Sequence, residues 1–248
     1  MRLPGAWLAL VCGLGVAFGA EASGLHLEGG LVQGGLVRGQ VAPGSRVRLD
    51  GRELRVSEDG WFVFGFDRDA PKTALLAIRG PDGSEARRRL EVAARSFKIQ
   101  RIDGLPPRQV TPSEADLERI ETDAELIAAA RRRDSQGGGF TEKVAWPARG
   151  PISGVYGSQR ILNGEPRSSH RGLDVAAPAG TLVGAMARGV VSLAATDMYY
   201  TGGTVMVDHG HGLHSIYAHL QDVLVEVGRE VAQGGTLGTV GASGRATG

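Results

Sequence analysis

The sequence predicts a mainly β protein: a small N-terminal β-sandwich, a connecting helix and a C-terminal all-β domain. Three observations carry this reading. Apolar and charged residues alternate in short runs around Asp-Gly turns, 39 glycines punctuate the chain, and a single segment has helical periodicity. The 248 residues suffice for one large unit or two modest ones. Lys and Arg number 28 against 27 Asp and Glu, which leaves no broad electrostatic footprint, so nucleic acid is not an expected partner.

Residues 1–22, "MRLPGAWLALVCGLGVAFGAEA", read as a signal peptide. Arg2 opens a short n-region, Ala6 to Phe18 are mostly apolar, and Ala20 and Ala22 frame an A-x-A-like cleavage site. The apolar run is shorter than the roughly 20 residues a spanning helix needs, so no stable membrane span is expected after signal cleavage. The expected location is outside the cytoplasm, periplasmic or associated with the cell envelope. The single cysteine, Cys12, lies in this segment. A cleaved chain then has no disulfide and no thiolate ligand, which leaves histidine and carboxylate to hold any metal.

Residues 24–95 read as the sandwich. "SRVRLDG" sets Val47 and Leu49 between arginines before Asp50-Gly51. "RELRVSEDGWFVFGF" repeats the scheme around Asp59-Gly60, and "ALLAIRGPDG" ends in a third turn. No chemical constellation is visible here. His26 stands alone, and the arginines on these strands read as a solvated face.

Residues 96–139 read as a linker with a helix over about 112–134. The proline-rich "RIDGLPPRQVTP" precedes "SEADLERIETDAELIAAARRRD". Thr111 is the expected N-cap, with Pro112 at the first helical position and Glu114 closing a capping box. Leu117, Ile120, Ala124 and Ile127 form an apolar stripe at helical spacing. Arg131, Arg132 and Arg133 suit the negative end of the helix dipole, and "SQGGG" ends the helix. Such a helix is a spacer, or a brace against a neighbour.

Residues 140–248 combine glycine and β-branched residues in successive hairpin patterns, and five of the six histidines fall here, at positions 170, 209, 211, 214 and 219. "SSHRGLDVAAPAGT" places His170 and Asp174 four apart. On a helix they would be about 6 Å apart, but Gly172 and "VAAPAG" oppose a helix. On an ideal strand they would be about 13 Å apart. They meet at one ion only if the backbone bends, and Gly172 offers that freedom. A surface histidine beside a turn aspartate is the competing reading.

His209 and His211 in "VDHGHG" have an H-x-H spacing that also suits a metal. They lie between two strand patterns, however, where Asp and Gly serve turn geometry. His214 follows on the returning strand. In "SIYAHL", His219 alternates with Ser215 and Tyr217 on a polar face, with Ile216 and Leu220 on the other. There His219 is placed for proton or oxyanion work.

Four ordered blocks now carry a resemblance: "FTEKVAWPARGPISGVYGSQR", "HRGLDVAAPAGTLVGAMARGVV", "GGTVMVDHGHGLHSIYAHL" and "VGREVAQGGTLGTVGASGRATG". Together they resemble the lysostaphin/LytM-type zinc metallopeptidases, enzymes that cut peptide cross-links of bacterial peptidoglycan. The resemblance covers roughly residues 140–248, and the upstream module and helix look like the front half of exported members. It implies a LytM-type peptidase domain, one Zn2+, His170 and Asp174 as metal ligands, and His219 as a catalytic histidine. Peptidoglycan stem peptides are the implied substrate, hydrolysed by zinc-activated water. Catalytic zinc usually has three protein ligands. The family's third is the second histidine of an H-x-H segment directly after the "GRATG" block, so it is expected beyond Gly248. With two ligands alone, the expected activity is weak or absent.

Two alternatives come from other classes of protein. A non-catalytic relative would activate cell-wall amidases or scaffold the envelope. The "V-x-x-G" rhythm of residues 223–241 suggests a biotinyl or lipoyl carrier barrel, but no lysine follows Lys143 to hold such a cofactor.

Overall fold

The computed structural model describes residues 24–104 and 112–246. Residues 1–22, expected to be a signal peptide, and the expected N-cap Thr111 lie outside the described residues. The described residues are mainly β with one α-helix, as the alternation patterns lead one to expect.

The first seven strands build two sheets around one core. β1 (His26–Gly29), β2 (Leu36–Gln40) and β5 (Trp61–Gly65) form a sheet of order β1-β2-β5. β3 (Arg46–Leu49), β4 (Arg52–Leu54), β6 (Thr73–Arg79) and β7 (Glu85–Glu91) form the other, of order β4-β3-β6-β7. The β3–β4 connection is the two residues Asp50 and Gly51, both at positive φ (49° and 82°). That backbone matches the twist of a tight hairpin and favours an Asp-Gly pair. The alternation is realised: Val47 and Leu49 are buried with Val37, Phe62, Leu76 and Leu90, while Arg46 and Arg48 face solvent.

After the sandwich, β8 (Ile99–Ile102) pairs in parallel with β10 (Gln159–Leu162). Arg68 fastens this junction. Its Nε donates to Gly157 O at 2.7 Å, and its guanidinium lies 4.7 Å from the centroid of the Phe97 ring.

Helix α1 spans Glu114–Arg131, shorter at both ends than its sequence pattern suggests. Ser113 is its N-cap, and Pro112 precedes the cap instead of opening the helix. The Ser113 Oγ accepts from Asp116 N at 3.3 Å, and Asp116 Oδ2 accepts from Ser113 N at 3.1 Å. A shorter acid at the third helical position thus closes the capping box expected of Glu114.

The docked stripe also differs from the apolar one. Asp116 and Ala130 are buried and Ile120, Asp123 and Ile127 partly so, whereas Leu117 and Ala124 are exposed. Hydrogen bonding explains the acids on this face: Asp123 Oδ2 accepts from Tyr199 N at 2.7 Å. Arg119 on the same helix donates to Asp197 O at 2.6 Å. Ile127 and Ala130 pack on Leu193, Met198 and Met206. The helix is therefore a brace, seated on the segment that leads into Tyr199, Tyr200 and Thr201.

A six-stranded antiparallel sheet dominates the remainder, in the order β13-β18-β16-β15-β14-β17. Its strands are β13 (Leu182–Gly184), β14 (Gly189–Met198), β15 (Gly202–Asp208), β16 (His214–Val223), β17 (Glu230–Val231) and β18 (Thr236–Val240). Every residue of β15 is buried. Val191, Val205, Val207, Tyr217 and Leu237 form the core on one face, and the helix covers part of the other.

The "DHGHG" segment is the β15–β16 turn, in line with the turn reading of His209 and His211. Asp208 Oδ1 accepts from Gly210 N at 2.8 Å, and Gly210, His211 and Gly212 all have positive φ. His209 is buried, with Nδ1 2.7 Å from Arg188 O and Nε2 2.7 Å from Ser215 Oγ. A carbonyl only accepts, so Nδ1 carries the proton and Nε2 accepts from the serine hydroxyl. The Tyr217 hydroxyl, 3.0 Å from Ser215 Oγ, accepts from Met186 N at 2.7 Å and completes a satisfied buried chain. His211 stacks on Phe140, ring centroids 4.1 Å apart. Both His209 nitrogens are thus engaged, which leaves none to ligate a metal.

Burial pushes the His209 imidazole below its ordinary pKa, against the opposing pull of Arg188 O and Asp208, and burial acts likewise on His211. The unfolded chain therefore binds more protons just below pH 6.5 than the folded one, so stability falls as the pH drops through that value. We expect the melting temperature to decline from pH 7.5 to 5.5. NMR titration should find His209 as the Nδ1–H tautomer when neutral, protonating below the ordinary histidine range. Protonation of His209 in the folded protein at or above pH 6.5 would refute this.

Candidate functional site

Three further strands frame the site. β9 (Ile152–Gly154) pairs with β12 (Asp174–Val175), and β11 (Glu165–Pro166) forms a hairpin with β10. His170 is tied to the β10 end by two backbone bonds, His170 N to Ser158 O at 2.8 Å and Gly157 N to His170 O at 2.7 Å. The chain then bends at Gly172 and enters β12 at Asp174.

That bend brings His170 Nε2 to 3.0 Å from Asp174 Oδ1, far inside the span of an extended strand. Gly172 itself does not adopt a positive φ, and a Cβ there would sit 3.5 Å from His170 Nε2, an ordinary contact. The bend comes from the anchored ends and not from glycine's conformational freedom. The histidine is no loose surface residue. Its side chain is only 11% exposed, and its Nδ1 is buried without a hydrogen-bond partner.

The pair suits a tetrahedral metal. Ligand atoms each about 2.0–2.1 Å from a zinc ion stand roughly 3.3 Å apart. An imidazole nitrogen and a carboxylate oxygen at 3.0 Å fill two such corners with little movement. Among the described residues no three or more His, Cys, Asp or Glu side chains gather closely enough to hold an ion, so His219 is not a third member of this pair.

Two residues that spacing arguments miss hold Asp174 in place. Arg160 Nη2 donates to Asp174 Oδ2 at 3.0 Å. Gly154, the β9 partner of Asp174, leaves the room that the carboxylate occupies: a Cβ there would strike Oδ2 and lie 2.8 Å from Cγ. Burial alone would raise the Asp174 pKa. The hydrogen bond to His170 and the charges of His170, Arg160 and His219 outweigh it and hold the carboxyl below its usual range.

A positioning partner of this kind typically contributes 10- to 100-fold in metal affinity. Arg160→Gln is therefore expected to weaken zinc binding by about that factor, measured by competition with a chromophoric chelator. Unchanged affinity would remove Arg160 from the metal's surroundings.

His219, whose charge acts on Asp174, is held by a different device. Its φ is 62°, a left-handed backbone that is rare outside glycine and marks local constraint. Its N–H donates to Thr201 O at 2.7 Å, and its Nδ1 lies 2.8 Å from Ser243 O. Because Ser243 offers a carbonyl, Nδ1 carries the proton, and the neutral ring keeps its Nε2 lone pair. The polar face expected in "SIYAHL" is corrected here. Ser215 and Tyr217 point into the core, Ile216 is exposed, and Leu220 is buried. The left-handed step at His219 breaks the alternation that would have sent its ring inward with Tyr217.

Comparison with known proteins agrees with this architecture. The sequence model for Peptidase family M23 matches residues 168–248. A crystal structure from Pseudomonas aeruginosa assigned to peptidase M23 is 32% identical, with a TM-score of 0.66, and the match covers 88% of this chain and 86% of that one. The chain belongs to peptidase family M23. Among curated relatives, murein hydrolase activator EnvC of Escherichia coli is 43% identical over 99 residues, covering 40% of this chain and 22% of EnvC. Peptidoglycan DD-endopeptidase ShyC of Vibrio cholerae is 41% identical over 80 residues, covering 32% of this chain and 18% of ShyC. The chain thus spans about a fifth of the length of these relatives.

Proposed function

We propose that the protein is an exported zinc endopeptidase that hydrolyses peptide cross-links of bacterial peptidoglycan. The observation that carries this is the His170–Asp174 pair, set 3.0 Å apart and buttressed by Arg160 and Gly154. In this reading residues 24–95 are an accessory module, 96–139 a linker and 140–248 the peptidase unit. His170 and Asp174 would hold the Zn2+, and the H-x-H segment of the family pattern would complete the set. The bound ion supplies an activated water and polarises the scissile carbonyl. His219 works beside it. With its proton on Nδ1 facing Ser243, the neutral ring can accept a proton at Nε2 and afterwards donate it to the developing oxyanion or leaving amine.

The test sets the 248-residue chain beside one continued through an H-x-H segment, measuring zinc content and release of soluble fragments from purified cell walls. Intact cross-links with the continued, metal-loaded form would overturn the enzyme reading.

The similarity to EnvC favours a second reading, a regulator of cell-wall amidases. Amidase activity assayed with this chain, with and without chelator, separates the two. Activation that survives chelation supports the regulator. Presence of His170, Asp174 and His219 together supports the enzyme.

A further inference from the structure

We infer that Asp123 and Arg119 of helix α1 are positioning residues for His219, so that the linker helix sets the ring that works in the reaction. The ring's role rests on the endopeptidase reading; the positioning rests on a chain of hydrogen bonds.

His219 needs support from outside its own strand. Its left-handed backbone is unfavourable for a residue with a Cβ, and such a conformation persists only where neighbours over-determine it. Two carbonyls do so. Thr201 O accepts from His219 N at 2.7 Å, and Ser243 O accepts from Nδ1 at 2.8 Å. Both carbonyls belong to one hub, made of the β14–β15 connection and the segment laid against it. Gly203 N donates to Ser243 Oγ at 2.9 Å, and Arg245 N donates to Tyr200 O at 2.8 Å. A Cβ on Gly202 would strike Ser243 Oγ, so the two pieces of the hub lie in close contact.

The helix holds this hub from the other side. Asp123 Oδ2 accepts from Tyr199 N at 2.7 Å. Arg119 Nη2 reaches both the carbonyl of Asp197, at 2.6 Å, and its carboxylate, at 2.8 Å. The strand pairing is irregular just there, because β14 and β15 shift register between Ala195 and Met198. Such a shift disrupts the local ladder, and the two helix side chains bond the backbone where the ladder falters. A partly buried carboxylate beside Ile127 and Ala130 is costly unless it is bonded, and the bond it makes is to the connection that carries Thr201. From Asp123 the chain of contacts runs through Tyr199 to Thr201 O and from there to His219 N.

The test reads the ring before it reads activity. In the metal-free 248-residue chain with isotopically labelled histidine, NMR should find His219 with its proton on Nδ1 when neutral. Asp123→Ala should release the ring to a mixture of both tautomers. Asp123→Asn keeps an acceptor oxygen for Tyr199 N and should restore the single Nδ1–H form. Arg119→Gln should disturb the same signals in the same direction, and Glu125→Ala, at an exposed position of the helix, should leave them unmoved. In the form continued through an H-x-H segment, Asp123→Ala should lower kcat about tenfold with KM within about twofold, and Asp123→Asn should recover most of the loss. Circular dichroism establishes that each variant is folded; should Asp123→Ala not fold, Arg119→Gln decides. An unchanged His219 signal in the folded alanine variant overturns the positioning, as does failure of Asp123→Asn to restore it. A continued form that leaves every cross-link intact overturns the endopeptidase reading, and the ring measurement then decides the positioning by itself.

Discussion

Replacing Asp174 with alanine is expected to abolish zinc retention and cross-link hydrolysis while the six-stranded sheet stays folded. Among the described residues the carboxylate engages His170 Nε2 at one oxygen and Arg160 Nη2 at the other, and it lies apart from the cores that hold the strands together. Its loss removes one of the two proposed ligand atoms and leaves Arg160 without its counter-charge. Metal activation supplies several kcal/mol of transition-state stabilisation, so activity should fall on the order of 10³-fold or more. Asp174→Asn should behave similarly, because it keeps the shape but not the charge that a cation needs. The measurement is zinc stoichiometry after gel filtration, with wall digestion by the form continued through an H-x-H segment and a thermal melt beside it. Unreduced zinc in the alanine variant would remove Asp174 from the ligand set.

Gly154→Ala carries the second large effect, and it acts purely through space. Gly154 has no positive φ, so alanine suits its backbone. The added methyl would nevertheless strike Asp174 Oδ2, and it would lie 2.8 Å from Cγ and 3.2 Å from Cβ. The carboxylate must swing away, which separates it from His170 and Arg160 together. Overpacking of this kind costs about 1–3 kcal/mol in stability. Zinc affinity should fall at least as far as on loss of a positioning partner, by about 10- to 100-fold. Gly172→Ala is the control, because its methyl meets only His170 Nε2, at an ordinary 3.5 Å. Equal zinc affinities in the two variants would show that the Gly154 space is not what places Asp174.

The contrast between these glycines shows where the sequence stops being legible. Strand alternation and Asp-Gly turns are local, so "SRVRLDG" could be read as a buried-exposed strand entering a tight hairpin. The helix was legible in its existence but not in its docked face. Asp123 is held there by Tyr199, 76 positions away, and no periodicity encodes such a partner. Thr111–Glu114 and Ser113–Asp116 both satisfy the capping pattern, and only the folded chain distinguishes Ser113 as the cap.

The site divides the same way. The four-residue spacing of His170 and Asp174 left a strand, a bend and a plain turn open. Backbone bonds to Ser158 and the β9 pairing decide for the bend. The environment of His219 departs from the strand pattern because one left-handed residue reverses an alternation that is otherwise sound. Arg160 carried no signal at all, since its meaning is a carboxylate on another strand.

The parallel pairing of β8 with β10 has a consequence for how the chain folds. Ile99 partners Gln159, about sixty positions later, and a parallel pair cannot form through a tight turn. The helix and the entry to the peptidase fold lie within that crossover, so the contact closes a long loop, and such closures are slow. The hairpins of the large sheet join near neighbours in sequence and need no such closure. The strand that presents Arg160 has a local partner in β11, and it gains its second partner, β8, only when that long loop closes.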